Sequence, residues 1–189
     1  KVGYGMDEGV EMGPVIDAKA KSRITGLIDD AEKRGADVVL DGRSLVVPGH
    51  ENGHFLGPTI IDAVPLDAPV YTEEVFGPVL TIVHADTYDD AMRIVNSSPF
   101  GNGSAIFTND GGVARRFTLD TEAGMVGVNV PIPTPVAYYS FGGWKESLLG
   151  DTHIHGPEGV KFYTRAKAIT TRWPSEKTYA ATMSFQREE

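Results

Sequence analysis

The chain has 189 residues, 41% of them hydrophobic, and a formal net charge of −9 at pH 7. This length is sufficient for one domain with a core and a small appendage. Nucleic acids bind to clusters of Lys and Arg, so the acidic balance argues against a nucleic-acid partner. No stretch stays apolar over the roughly 18 residues that a membrane helix needs, and we expect a cytoplasmic protein with no membrane contact.

Periodicity predicts one helix and three strands in the first half of the chain. Asp17 is a good N-cap for a helix over 18–34, and Gly35 is a good stop. Four apolar residues recur in this helix at three- and four-residue spacing, namely Ile24, Leu27, Ile28 and Ala31. Short apolar runs predict strands over 37–40, 59–64 and 79–83. The last of these is apolar on both faces, so we expect it to be central in its sheet.

The second half of the chain alternates between the two kinds of element. The predicted order is a helix over 87–97 capped by Thr87, a strand over 104–107, a helix over 112–119 and a strand over 125–129. Such alternation favours right-handed βαβ units, so the predicted fold class is α/β with a mainly parallel sheet flanked by helices. Residues 131–157 are rich in Pro, Gly and aromatic side chains, which predicts a long functional loop.

A final strand is predicted over 167–173, and Pro174 ends it. This strand has no evident partner in the same sheet. Because an unpaired edge strand can pair with another chain, we expect it to mediate association. The alternative is an ordinary edge strand of the main sheet.

The sequence contains no cysteine. This composition excludes disulfides and cysteine-ligated metal sites. The five histidines lack the spacing with acidic residues that is typical of a metal site, and we predict none. His153 and His155 lie two residues apart in a Gly-rich stretch, where we favour a solvated pair.

The most informative stretch is 71–80, Tyr-Thr-Glu-Glu-Val-Phe-Gly-Pro-Val-Leu. It places two carboxylates and one aromatic ring directly before a turn and an apolar strand, and strand ends are where α/β enzymes bind ligands. An acidic cap on a hairpin is the alternative interpretation. The stretch resembles the Glu-x-Phe-Gly-Pro signature of the aldehyde dehydrogenase superfamily. This resemblance implies that Glu74 holds the nicotinamide ribose of NAD and that Phe76 packs near the nicotinamide ring, whereas we expect the adjacent Glu73 to be solvated.

Further strings follow in the order that this superfamily requires, at 12–16, 55–59, 100–108, 128–129 and 140–145. The likeness extends from about residue 2 to residue 173. It implies a partial catalytic domain over 1–165, the C-terminal part of the family's domain, followed by an oligomerisation strand over 166–174 and a tail over 175–189. We therefore expect a homo-oligomer.

Within the superfamily, residues 131–147 are similar to the methylmalonate-semialdehyde dehydrogenase family, and Trp144 and the paired prolines are the distinguishing marks. The resemblance implies an NAD-dependent oxidative decarboxylation of methylmalonate or malonate semialdehyde, with coenzyme A as the acyl acceptor, in valine and inositol catabolism. It also implies that Phe141 lines the substrate pocket, with Ile132 as a further candidate. We expect Asn129 to tie the loop down rather than to touch substrate.

The superfamily attacks its aldehyde with a cysteine thiolate, which this chain lacks. A serine substitute would need an adjacent base and organised oxyanion donors. We therefore expect a C-terminal fragment of a larger enzyme, inactive alone and with no catalytic residue of its own. The alternatives are a binding or assembly module that keeps the fold without the chemistry, and a regulatory protein that pairs with intact subunits through its last strand.

Overall fold

The computed structural model describes residues 1–173. Helix α1, Ala18–Lys33, organises the first half of the chain. The carboxylate of Asp17 accepts a hydrogen bond from the backbone N–H of Ala20 at 2.6 Å, which caps the first turn. After the helix, Gly35 adopts a φ of 94°, the left-handed conformation that commonly ends helices. The predicted helix, its cap and its stop are confirmed.

Three strands form a sheet beside α1: β1 (Asp37–Leu40), β2 (Thr59–Asp62) and β3 (Val79–Thr81). Strand β2 lies in the middle, antiparallel to β1 and parallel to β3. A short helix, α2 (Pro69–Thr72), lies between β2 and β3 in the chain. The apolar stripe of α1 packs on this sheet, and the largest fully buried side chains are Ile24, Ile28 and Ile61. Burying one such side chain stabilises the fold by roughly 1.5–3 kcal/mol.

The prediction that β3 is a central strand is wrong within the described residues. Strand β3 pairs with β2 alone, at the edge of the three-stranded sheet. Leu80 in the middle of the strand is 57% exposed. Apolar residues on both faces indicate that layers on both faces can cover the strand. They do not determine how many strands pair with it, and within residues 1–173 only β2 does.

The second half contains the remaining elements: α3 (Tyr88–Ser97), β4 (Phe100–Gly101), β5 (Gly103–Ile106), α4 (Gly111–Asp120), β6 (Met125–Val128), β7 (Trp144–Lys145) and α5 (Gly156–Tyr163). Helices α3 and α4 begin at side-chain caps, Thr87 and Asp110. Strands β5 and β6 pair in parallel, and β4 and β7 pair antiparallel. The α/β class is confirmed, although the described strands form three separate sheets rather than one.

The predicted long loop contains two elements that the sequence patterns did not indicate. Strand β7 lies in its middle, and α5 begins near its end. Beyond α5, residues 164–173 belong to neither a helix nor a strand. The predicted strand over 167–173 is therefore not formed, because a strand needs a ladder partner and residues 1–173 provide none. The predicted tail over 175–189 lies outside the described residues. Within residues 1–173, no helix combines the length and the apolar character needed to cross a membrane.

Candidate cofactor and substrate site

The segment between α2 and β3 carries the two residues predicted to hold a nicotinamide cofactor. The backbone N–H of Glu73 donates to the Pro69 carbonyl at 2.9 Å and closes α2. At the other end, the Pro78 carbonyl accepts from the N–H of Thr59 at 2.9 Å, which attaches the segment to the start of β2. Both ends of the turn are thus fixed, and the turn lies at the amino-terminal end of β3.

Phe76 stands at the middle of this turn with a φ of 53°. Residues other than glycine rarely adopt this left-handed region, and such strain persists only where the surroundings impose it, often at functional sites. The side chain of Phe76 is 79% exposed. An aromatic ring presented in this way is available to pack against a planar ligand.

Glu74 is exposed, and its carboxylate makes no ion pair or hydrogen bond within residues 1–173. It lines a cavity of about 480 Å³ together with Phe100, Asn102, Glu146 and Ser147. All the acceptor positions of this carboxylate are consequently free to receive hydrogen bonds from hydroxyl groups of a ligand. The adjacent Glu73 is also exposed but does not line this cavity, which agrees with the predicted solvated role.

The opposite wall of the Glu74 cavity is built by the β4–β7 ladder. The N–H of Glu146 donates to the Pro99 carbonyl at 3.0 Å, and the N–H of Gly101 donates to the Ser147 hydroxyl at 3.2 Å. These bonds bring two stretches that are far apart in sequence to one edge of the cavity. Sequence reasoning assigned no role to the lining residues on this wall. The only signal was the presence of both stretches among the strings that resemble the superfamily.

Lys145 anchors this wall to the end of α3. Its ammonium group donates to the carbonyls of Asn96 at 2.7 Å and Ser98 at 3.1 Å, and it lies 2.8 Å from a carboxylate oxygen of Glu122. A cation at a helix C-terminus satisfies carbonyls that lack helical partners and interacts favourably with the helix dipole. Lys145 thus adds three polar contacts to the backbone bonds that already hold the wall.

Ile132 lies beside a second cavity of about 270 Å³, between the start of β5 and residues 131–134. Asn102 lines this cavity as well as the Glu74 cavity. The predicted cofactor carboxylate and Ile132, the further candidate for the substrate pocket, thus belong to adjoining cavities. This juxtaposition joins positions 58 residues apart, 132 minus 74, which no local pattern could indicate.

Phe141, the other predicted pocket residue, lies elsewhere. Its ring stacks on the imidazole of His155, with centroids 4.4 Å apart and an interplanar angle of 6°. It is not among the residues that line the Ile132 cavity. A role for Phe141 in binding substrate therefore stays a prediction.

The prediction of a solvated histidine pair is wrong, because both rings are partly buried. His155 is covered by Phe141, and Nδ1 of His153 lies 3.7 Å from a carboxylate oxygen of Glu158. A hydrogen bond from the Ser140 hydroxyl, together with His153, lowers the pKa of Glu158. The pair thus packs the start of α5. Among residues 1–173, no cluster of three or more His, Asp or Glu side chains could hold a metal ion.

Asn129 ties the chain down directly after β6, as predicted. Its amide oxygen accepts from the N–H of Thr108 at 2.9 Å, and its amide nitrogen donates to the Thr108 carbonyl at 3.0 Å. The backbone at Asn129 has a φ of 56°, so the chain turns away from the sheet at this point. This turn sets the direction in which the chain enters residues 131–134.

Comparison with known proteins places this site in a family. The model of the aldehyde dehydrogenase family matches residues 1–169. The chain belongs to the aldehyde dehydrogenase family. The matched residues include those that line both cavities and the turn that carries Glu74 and Phe76.

Individual aldehyde dehydrogenases are similar over most of the chain. Malonate-semialdehyde dehydrogenase of Pseudomonas aeruginosa is 52% identical over 96% of the chain and 36% of its own length. The acylating mitochondrial methylmalonate-semialdehyde/malonate-semialdehyde dehydrogenase of Bos taurus is 48% identical over 93% of the chain and 33% of its own length. A crystal structure from Sinorhizobium meliloti, described as a methylmalonate-semialdehyde dehydrogenase complexed with NAD, superimposes with a TM-score of 0.89 at 49% identity, covering 93% of the chain and 36% of the relative. The chain spans about a third of the length of these relatives.

Proposed function

We propose that this chain forms part of an NAD-dependent, coenzyme A-acylating methylmalonate- or malonate-semialdehyde dehydrogenase. The reaction takes a semialdehyde, NAD and coenzyme A to propionyl- or acetyl-CoA, carbon dioxide and NADH, as in valine and inositol catabolism. The observation that carries the proposal is the free carboxylate of Glu74 beside a cavity that adjoins the Ile132 cavity at Asn102. The NAD complex of the Sinorhizobium relative and the acylating bovine relative support it.

In this proposal Glu74 accepts hydrogen bonds from the ribose hydroxyls next to the nicotinamide, and the exposed ring of Phe76 packs near the nicotinamide itself. Fixing the ring matters because hydride transfer tolerates displacement of only about an ångström. Ile132 and Phe141 belong to the substrate side of the site. A carboxylate without a competing cation is suited to this role, since its acceptor positions are not already occupied.

The chain has no cysteine, so the thiolate chemistry of the family requires residues outside this sequence. We therefore propose that the chain alone neither oxidises an aldehyde nor binds NAD tightly. The alternative, an assembly module with the same fold and no chemistry, predicts no activity in any mixture.

We also propose association of like chains through residues 167–173. Support comes from Ile169 and Trp173, which are strongly exposed and have no ladder partner among residues 1–173. Sedimentation at micromolar concentration tests this proposal, and a monomer at every concentration would contradict it. The cytoplasmic location stays a prediction, since the bovine relative is named as mitochondrial.

The deciding experiment is complementation. The chain is mixed with a purified fragment that supplies the preceding two-thirds of a relative, and NADH formation is followed with and without coenzyme A. We expect activity with the wild-type chain, and slower hydride transfer with Glu74→Gln while acyl transfer to coenzyme A changes little. Glu73→Gln is the matched control, because Glu73 is an exposed neighbouring acid outside the cavity. Equal loss in both half reactions, or equal loss in both variants, would count against the assignment.

A further inference from the structure

A cation on α1 reaches the backbone of the turn that carries Glu74 and Phe76. The guanidinium of Arg23 donates through Nη2 to the carbonyl of Val75 at 2.5 Å, and through Nη1 to the carbonyl of Glu74 at 3.4 Å. Within residues 1–173, these two carbonyls receive no other hydrogen bond. Arg23 is therefore the hydrogen-bond donor that holds the carbonyls of the turn before Phe76.

The geometry of the guanidinium suits this task. In an extended chain, successive carbonyls point in opposite directions, so a single group cannot contact two in a row. Here the carbonyls of two consecutive residues face the same guanidinium, which means that the peptide planes are rotated away from the extended arrangement. A planar fork with several donors at fixed angles suits that rotation better than an ammonium group, whose donors are not held in one plane.

The helix that carries Arg23 is itself immobilised next to the turn. Ile24, the following residue, is fully buried in the core. A Cβ added to Gly77 would lie 2.6 Å from Cδ1 of Ile24, so glycine allows the turn to sit directly on the helix. Helix α1 thus contacts the turn on both sides of Phe76, through Arg23 before it and through Ile24 after it. The strained φ of Phe76 lies between these two contacts.

We infer that Arg23 is a positioning residue for cofactor binding, acting through the backbone on Glu74 and Phe76 rather than by contact with a ligand. The inference rests on the proposed function of Glu74. The orientation of the 74–75 and 75–76 peptide planes determines where the Glu74 carboxylate enters its cavity and which way the Phe76 ring projects. Loss of the guanidinium frees both, and the binding of NAD weakens while the binding of coenzyme A does not.

The test uses the active enzyme that contains this chain. Arg23→Ala raises the KM for NAD about tenfold, the effect of losing a charged hydrogen-bond donor, and leaves the KM for coenzyme A within about twofold of wild type. Arg23→Lys gives a smaller rise, because lysine keeps the positive charge and hydrogen-bond donors but lacks the planar fork. Lys19→Ala, which removes an exposed positive charge from the same helix, is the matched control and leaves both constants unchanged.

A double-mutant cycle separates positioning from general stabilisation. If Arg23 acts partly through Glu74, the double variant Arg23→Ala/Glu74→Gln raises the KM for NAD by less than the product of the two single effects. Multiplicative effects, or parallel increases in the KM for NAD and for coenzyme A, would overturn the role of Arg23 and leave the proposed function standing. No effect of Glu74→Gln on NAD binding would overturn both. Should Arg23→Ala fail to fold, Arg23→Lys and Arg23→Gln decide by the same criteria.

Discussion

The two halves of the molecule differ in how completely they bury their apolar side chains. In the first half, α1 and the three-stranded sheet enclose a continuous core whose central isoleucines are fully buried. In the second half, α5 has no buried residue, and large apolar side chains on and around it face outwards, among them Ile154, Val160, Phe162 and Tyr163. Exposed apolar surface of this extent marks contact with other protein or with a ligand. The first half therefore provides the rigid support, and the Glu74 cavity lies where it meets the less enclosed half.

The largest expected effect comes from the core of the first half. Ile28→Ala removes a fully buried side chain and leaves a cavity, which lowers the free energy of unfolding by about 2–5 kcal/mol. Val160→Ala on α5 is the matched change at an exposed position and costs less than about 0.5 kcal/mol. Urea unfolding of the two variants measures the contrast. Similar losses would show that the two halves are equally well packed.

The anchor of the cavity wall gives the next effect. Lys145→Met removes a cation bound to two carbonyls and a carboxylate, and we expect a loss of about 2 kcal/mol. Lys33→Met, at an exposed position on α1, serves as the control. Thermal unfolding of both variants provides the measurement. A lysine change that costs the same at either site would argue against an anchoring role for Lys145.

A smaller effect is expected at the start of α4. The carboxylate of Asp110 accepts hydrogen bonds from the N–H groups of Gly112 and Val113, at 2.7 and 2.9 Å. Asp110→Ala should cost about 1 kcal/mol, and Asp110→Ser should recover most of it, because serine is also a good cap. Denaturant midpoints of the two variants check this order. If alanine were as stable as serine, capping would contribute nothing here.

The smallest expected effect is a loss of stability at acidic pH. Hydrogen bonds from the side chain and backbone of Arg43 lower the pKa of Asp41 below its ordinary value of 3.8. Because the unfolded carboxyl binds its proton at higher pH than the folded one, this contribution to stability is present above about pH 4 and is lost as the pH falls below it. Asp41→Asn should flatten the acid side of a plot of Tm against pH. An unchanged acid limb would refute the contribution.

Local signals in the sequence were sufficient for much of the fold. The N-cap Asp17, the stripe through Ile24 and Ile28 and the stop at Gly35 predict α1 because each acts within a few residues. Strand β7 and helix α5 were missed because β7 is only two residues long and both follow a Pro- and Gly-rich stretch whose composition is typical of a loop.

The site was predictable only in part, for the same reason. Glu74 and Phe76 stand in a short motif, and the structure places Glu74 at a cavity. Asn102 and Glu146 reach that cavity through the β4–β7 ladder, which joins stretches 44 residues apart, 146 minus 102, and leaves no trace in local spacing.

The side chain of Asn129 has a consequence for the pocket next to it. Its amide reproduces both hydrogen-bonding partners of a peptide group, so Thr108 stays fully paired although the main chain has already swung out of the ladder. This one neutral side chain therefore continues the hydrogen bonding of the β5–β6 ladder by one residue. It fixes the point at which the chain leaves the sheet towards Ile132. Exchanging its NH2 for a carboxylate oxygen would set two acceptors against each other at Thr108 and shift the point of departure without altering the shape of the residue.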